Sequence, residues 1–161
     1  MKGTAASLRL GRAAIFLAVW SLIFASNLRA ERTTAPRSSQ AAIVRVLEAQ
    51  ADAWNRGEID GYMNGYARSD GTVFVSGDSI TRGWKTVRDR YAKKYDNREK
   101  MGRLAFSDVE VRLISSDAGL VVGKWKLTRK GDKPHGRFTL LFRRGADGWR
   151  IVHDHTSSAG S

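Results

Sequence analysis

From Arg103 to Thr156 the chain alternates apolar and polar side chains, and only short turn signals interrupt it. Those signals are Ser116-Asp117, Lys130-Gly131-Asp132-Lys133-Pro134 and Gly145-Ala146-Asp147-Gly148. Period-two alternation is the pattern of a half-buried strand, so four strands are predicted over 103–115, 118–129, 136–143 and 149–156. Long consecutive strands with connections this short are antiparallel neighbours. A chain committed to such a meander must bury one sheet face against something else, and the preceding segment supplies it.

Ile43, Val46, Leu47, Gln50 and Trp54 recur at helical spacing after Ser39, a suitable N-cap, and Asn55-Arg56-Gly57 closes the helix. A weaker helix follows, with Ile59, Tyr62, Met63 and Tyr66 on one face and two helix-weakening residues, Gly61 and Gly65. Thr72 to Arg82 reads as a small hairpin, and Trp84, Val87, Arg88 and Tyr91 mark a third helix to about Tyr95. The order predicts an α+β fold, with three helices packed on a curved, mostly antiparallel sheet.

The last strand carries the chemistry. In regular alternation Trp149, Ile151, His153 and His155 share one face, and Arg150, Val152 and Asp154 share the other. Pairing across the last turn then sets Phe142 near Ile151, Leu140 near His153 and Phe138 near His155. An inward face that starts with Trp and Ile and ends in two imidazoles is dry at one end and polar at the other, like a pocket wall. A register slip of one residue puts Asp154 inward instead.

The N-terminus reads differently. Lys2, Arg9 and Arg12 precede a 13-residue apolar run, Ala13 to Ala25, and Leu28-Arg29-Ala30 offers a cleavage site. The run is shorter than the roughly 20 residues of a membrane span, so residues 1–30 are expected to be a removed export signal. Residues 31–40, around Pro36, read as a linker; 41–157 form the domain and 158–161 a tail. The expected destination is periplasmic or secreted, with no stable membrane span after cleavage. Cysteine is absent, which excludes thiol catalysis and cysteine–zinc sites and leaves packing to hold the exported domain. Of 28 Lys and Arg, four lie in the signal; the remaining 24 against 16 acids leave a net charge of +8. The basic clump from Arg82 to Lys100 has Asp89, Asp96 and Glu99 among it, as a solvated helix face does, so nucleic acid is not an expected partner.

Two motifs resemble a known superfamily. Ala53-Trp54-Asn55-Arg56-Gly57-Glu58-Ile59-Asp60 is similar to the corner between the first two helices of nuclear transport factor 2-like proteins. Gly148 to Ser157 resembles the ending of its SnoaL-like and ketosteroid-isomerase-like branch, to which the association domain of calcium/calmodulin-dependent kinase II is related. The resemblance implies a cone-shaped fold, commonly a homodimer through the sheet, and says little about function. The isomerases' inward acid has no evident match on the middle strands. The kinase domain's arginines are replaced by Leu140 and Thr156.

The candidate catalytic residues are His153 and His155, with Asp154 as the alternative. Imidazole titrates in the working range and can act as a general base. The same pair could instead satisfy backbone groups at the sheet's end. It could also hold a metal with His135, but a third ligand is not guaranteed, so neither metal nor cofactor is expected. Trp54, Tyr62, Tyr66, Arg82, Trp125 and His135 are the candidate ligand-binding residues. Three functions stay open: a pocket protein binding a small apolar or carboxylate-bearing molecule, an isomerase, lyase or cyclase, and an oligomeric interaction module.

Overall fold

A computed structural model describes residues 36–159; the expected signal, the first half of the expected linker (31–35) and the last two residues lie outside them. Helix α1 spans 36–56, and α2 covers Ile59–Met63. Strands β1 (Val73–Ser76) and β2 (Ser79–Arg82) form a hairpin before α3 (Trp84–Lys94). A one-turn helix, α4 (Arg98–Met101), was not evident from periodicity; it is capped by the Asn97 side chain, which accepts from the Lys100 amide. Then come β3 (Arg103–Leu113), β4 (Ala118–Thr128), β5 (His135–Gly145) and β6 (Gly148–Thr156).

The six strands order as β2-β1-β6-β5-β4-β3, antiparallel throughout except that β1 runs parallel to β6. Helix α1 buries Ile43, Leu47 and Trp54 in a core completed by Val121, Leu140, Phe142 and Ile151 from the strands. Each such side chain contributes roughly 1.5–3 kcal/mol on burial. That outweighs the weak helix propensity of the short α2, which keeps Tyr62 and Met63 buried.

The helix corner is held by side-chain mimicry of a strand. Asn55 donates Nδ2 to the Leu104 carbonyl at 3.0 Å and accepts from the Leu104 amide at 2.8 Å, stitching the end of α1 to the start of β3. Gly57, at φ 88°, makes the turn that follows. Trp54 donates its indole N–H to the Met101 carbonyl at 3.1 Å, so its buried polar atom is satisfied.

Two bulges curve the sheet. On β3, Ser107 pairs with Lys124 and Glu110 with Val122, so Asp108 and Val109 stand opposite Gly123 alone. The inward set shifts there from Leu104 and Phe106 to Val109, Val111 and Leu113. On β6, Phe142 pairs with Ile151 but Leu141 pairs with His153, leaving Val152 as the extra residue. An extra residue reverses which face every later side chain meets.

The expected pairing therefore holds at Phe142 and Ile151 and fails beyond it. Leu140 lies opposite Asp154, and Phe138 opposite Thr156. Asp154 is inward and buried, His153 is half-buried on the outer face, and His155 is exposed.

Candidate functional site in the cone

The inner sheet face and the helices enclose a cavity of about 100 Å³. Its walls are aromatic: Trp54 from α1, Tyr62 and Tyr66 from the α2 segment, Phe74 from β1, Tyr91 and Tyr95 at α3, Phe106, Trp125 and Phe138 from the strands. Trp54 meets Tyr62 edge-on at 5.1 Å and Tyr95 at 4.7 Å between centroids. Phe106 and Phe138 pack at 5.4 Å, and a Cβ on Gly123 would overlap the Phe138 ring. Glycine at that position is what lets the Phe138 ring lie against the sheet.

Asp154 is the carboxylate among the cavity-lining residues and is only 3% exposed. Its neighbours across the strands are Phe74 and Leu140, which leave it little solvent. Tyr66 donates its hydroxyl to Asp154 Oδ2 at 2.6 Å, and Thr156 donates to Oδ1 at 2.7 Å. Burial pushes the carboxyl up to about 6, against the lowering effect of those two donors and of the nearby His155. It thus changes protonation state near neutral pH.

The local backbone places Tyr66. Ala67 donates to the Ile151 carbonyl at 2.9 Å, Ile151 donates to the Gly65 carbonyl at 2.9 Å, and Tyr66 bridges Ile151 in parallel. Gly65 is required because a Cβ there would overlap the Gln50 side chain, itself bonded to the Tyr62 carbonyl at 2.9 Å. Burial and the charge of Asp154 raise the Tyr62 and Tyr66 hydroxyls well above the ordinary tyrosine range; Tyr91 is raised by burial and by its Tyr62 neighbour. All three stay neutral donors at any working pH. Two cations, Arg90 and the exposed Lys94, also line the cavity. Arg90 lies over the Phe74 ring at 5.0 Å and donates to the Thr81 hydroxyl at 2.8 Å, while Lys94 sits over Tyr95 at 5.4 Å.

Of the sequence candidates, Trp54, Tyr62, Tyr66, Trp125 and Asp154 come together around the cavity. Trp125 donates its indole N–H to the Ser157 carbonyl at 3.0 Å, tying β4 to the chain after β6. His153, His155, Arg82 and His135 are not among the lining residues. His135 is exposed, with Nδ1 3.2 Å from the Lys133 carbonyl, and Arg82 is exposed opposite Val73. Among the described residues no three His, Cys, Asp or Glu side chains cluster as a metal site would require, and no helix is long and apolar enough to cross a membrane. Periodicity alone missed Tyr91, Tyr95, Arg90, Lys94 and Thr156 as site residues. Tyr91 and Tyr95, at i, i+4 at the end of α3, were the available signal.

The SnoaL-like domain matches residues 43–160. An NTF-2-like protein of unknown function from Shewanella oneidensis MR-1 is 39% identical, with 73% of this chain and 98% of that chain covered at a TM-score of 0.71. The fold also matches a ketosteroid isomerase-like protein from Erwinia carotovora atroseptica SCRI1043 (21% identity, 75% and 96% covered, TM-score 0.60). A candidate scytalone dehydratase from Novosphingobium aromaticivorans DSM 12444 matches it too (9% identity, 80% and 89% covered, TM-score 0.64). No curated protein sequence matches the chain. With the helices packed on a curved six-stranded sheet and the aromatic cavity between them, these similarities show that the chain belongs to the SnoaL-like family of the nuclear transport factor 2-like superfamily.

Proposed function

We propose that this chain takes a small, ring-sized molecule into the aromatic cavity and that Asp154 exchanges a proton with it, as an isomerase or lyase would. The observation that carries this reading is the buried Asp154 carboxyl, facing the cavity with a pKa pushed up to about 6. A proton-transfer group works best when its pKa lies near the operating pH. At about 10–15 Å³ per water-sized site, a cavity of about 100 Å³ suits roughly seven to ten non-hydrogen atoms, a single substituted ring. Arg90 and Lys94 give a carboxylate on that ring a counter-charge, and the neutral hydroxyls of Tyr62 and Tyr91 supply donors for a carbonyl that gains charge.

Such an enzyme exchanges the protons next to a carbonyl. Cyclohexanone bearing a para carboxylate is a suitable probe, followed in heavy water by NMR. Exchange is expected in the natural chain and is expected to fall by about a hundredfold or more in Asp154→Asn, the scale of a lost general base. Equal exchange in both chains would remove Asp154 from the mechanism. A non-catalytic binder is the second reading, supported by the fact that both Asp154 oxygens already hold hydrogen bonds. It requires no exchange in either chain, with affinity weakened by about 1–3 kcal/mol in the variant.

The same proposal includes a homodimer through the outer sheet face. That face carries Val73, Val75, Leu141 and His153, all half-buried, with Val122 at 38% and Ile80 at 60% exposure. Sedimentation equilibrium at tens of micromolar is expected to give a dimer, a range set by ordinary dimer affinities. Leu141→Glu is expected to give monomer, and a natural chain that is monomeric under those conditions rules the interface out.

A further inference from the structure

A second concavity lies between the turn after α2 and the tip of the β5–β6 hairpin. It is an open groove of about 760 Å³ and shares only Tyr66 with the aromatic cavity. Arg68, Arg143, Arg144 and Arg150 line it, against a single carboxylate, Asp147.

Arg143 and Arg150 are direct cross-strand partners. Like charges facing each other on neighbouring strands cost stability, so the pair needs an anion to offset it. Arg143 has one, Asp117 at 2.6 Å. Arg68, Arg144 and Arg150 make no ion pair with a carboxylate among the described residues. Two of them are nevertheless held in place by neutral groups. Arg68 donates to Asn64 Oδ1 at 3.1 Å and lies over the Trp84 ring at 4.7 Å, and Arg150 donates to the Trp149 carbonyl at 2.8 Å. Contacts of this kind orient the guanidinium groups without neutralising them. The remaining N–H donors form planar forks suited to tetrahedral or planar oxyanions.

We propose that this groove is an anion-binding site for a small ligand carrying two adjacent phosphate-type groups, separate from the aromatic cavity. One oxyanion would meet Arg150, and the next would reach Arg68 across the groove.

Inorganic pyrophosphate is the probe, titrated calorimetrically into the full chain at low ionic strength. Saturable one-site binding is expected. Arg68→Gln/Arg150→Gln should weaken it by tenfold or more, and this variant should fold because the loss of Arg150 relieves the cross-strand repulsion. Removing the same charge elsewhere, in Arg45→Gln/Arg112→Gln, should weaken it less than twofold. Equal losses in the two variants would mean attraction to the basic protein as a whole, and the proposal would fall. Absence of saturation in the natural chain, or inorganic phosphate binding as tightly as pyrophosphate, would overturn it as well. Proton exchange at Asp154 is a separate readout, unaffected by these outcomes.

Discussion

The bulges on β3 and β6 do the same geometric work by different local means. Each inserts one residue, bends its strand and exchanges the faces of everything beyond it. On β3 the bulge sits at Asp108, the one non-glycine residue with positive φ among the described residues, at 50°. Asp108 also pairs with Lys124 at 2.6 Å across the strands. On β6 the extra residue is Val152, and no left-handed residue is needed. The β3 bulge keeps an apolar set inside. The β6 bulge brings in Asp154 and Thr156 and puts two imidazoles outside. One bulge serves packing, and the other builds a site at a cost in stability.

That cost gives the largest expected effect. The Asp154 pKa is raised from 3.8 to about 6 in the folded chain, so the folded state holds this proton more tightly than the unfolded state does. Stability should therefore fall as pH rises from about 4 to about 6 and level off above that, a loss of about 3 kcal/mol at most. Asp154→Asn removes the buried charge. In urea unfolding it should be more stable than the natural chain at pH 7 and nearly equal to it below pH 4. A variant less stable at pH 7 would mean that Tyr66 and Thr156 outweigh burial.

The β3 bulge should respond differently. Asp108→Val forces a β-branched residue into the left-handed region, at a cost of about 1–2 kcal/mol. Asp108→Asn tolerates that conformation and loses only an exposed ion pair, so it should stay within about 1 kcal/mol. Thermal unfolding of the two would break the comparison if they were equally destabilised. Val152→Thr on β6, with no positive φ to satisfy, should show no comparable penalty.

The smallest effect belongs to the outward imidazoles. His153→Gln/His155→Gln should leave proton exchange at Asp154 within about twofold and change monomer stability by no more than about 0.5 kcal/mol, as surface substitutions usually do. A hundredfold loss of exchange would return the chemistry to the histidines and mean that β6 carries no bulge in solution.

Much of the cavity was legible before the fold was known. Trp54, Tyr62, Tyr66 and Trp125 were marked by periodicity because each is an aromatic at an inward position of an amphipathic element, and burial of apolar area enforces such positions. The β3 bulge was also traceable, since Leu104 and Phe106 have one parity and Val109, Val111 and Leu113 the other. The β6 bulge left no such trace. Beyond the bulged Val152 its residues are His153, Asp154, His155 and Thr156, polar on both faces, so hydrophobic pattern cannot tell which face turns inward.

The sequence by itself determined the α+β order, the antiparallel meander, the aromatic lining and the family resemblance, because these follow from local periodicity and short turns. Only the tertiary structure decided that Asp154, not His153 or His155, faces the cavity. That choice depends on where β5 and the Gly65–Ala67 backbone clamp Ile151, a long-range register that no neighbouring residue encodes.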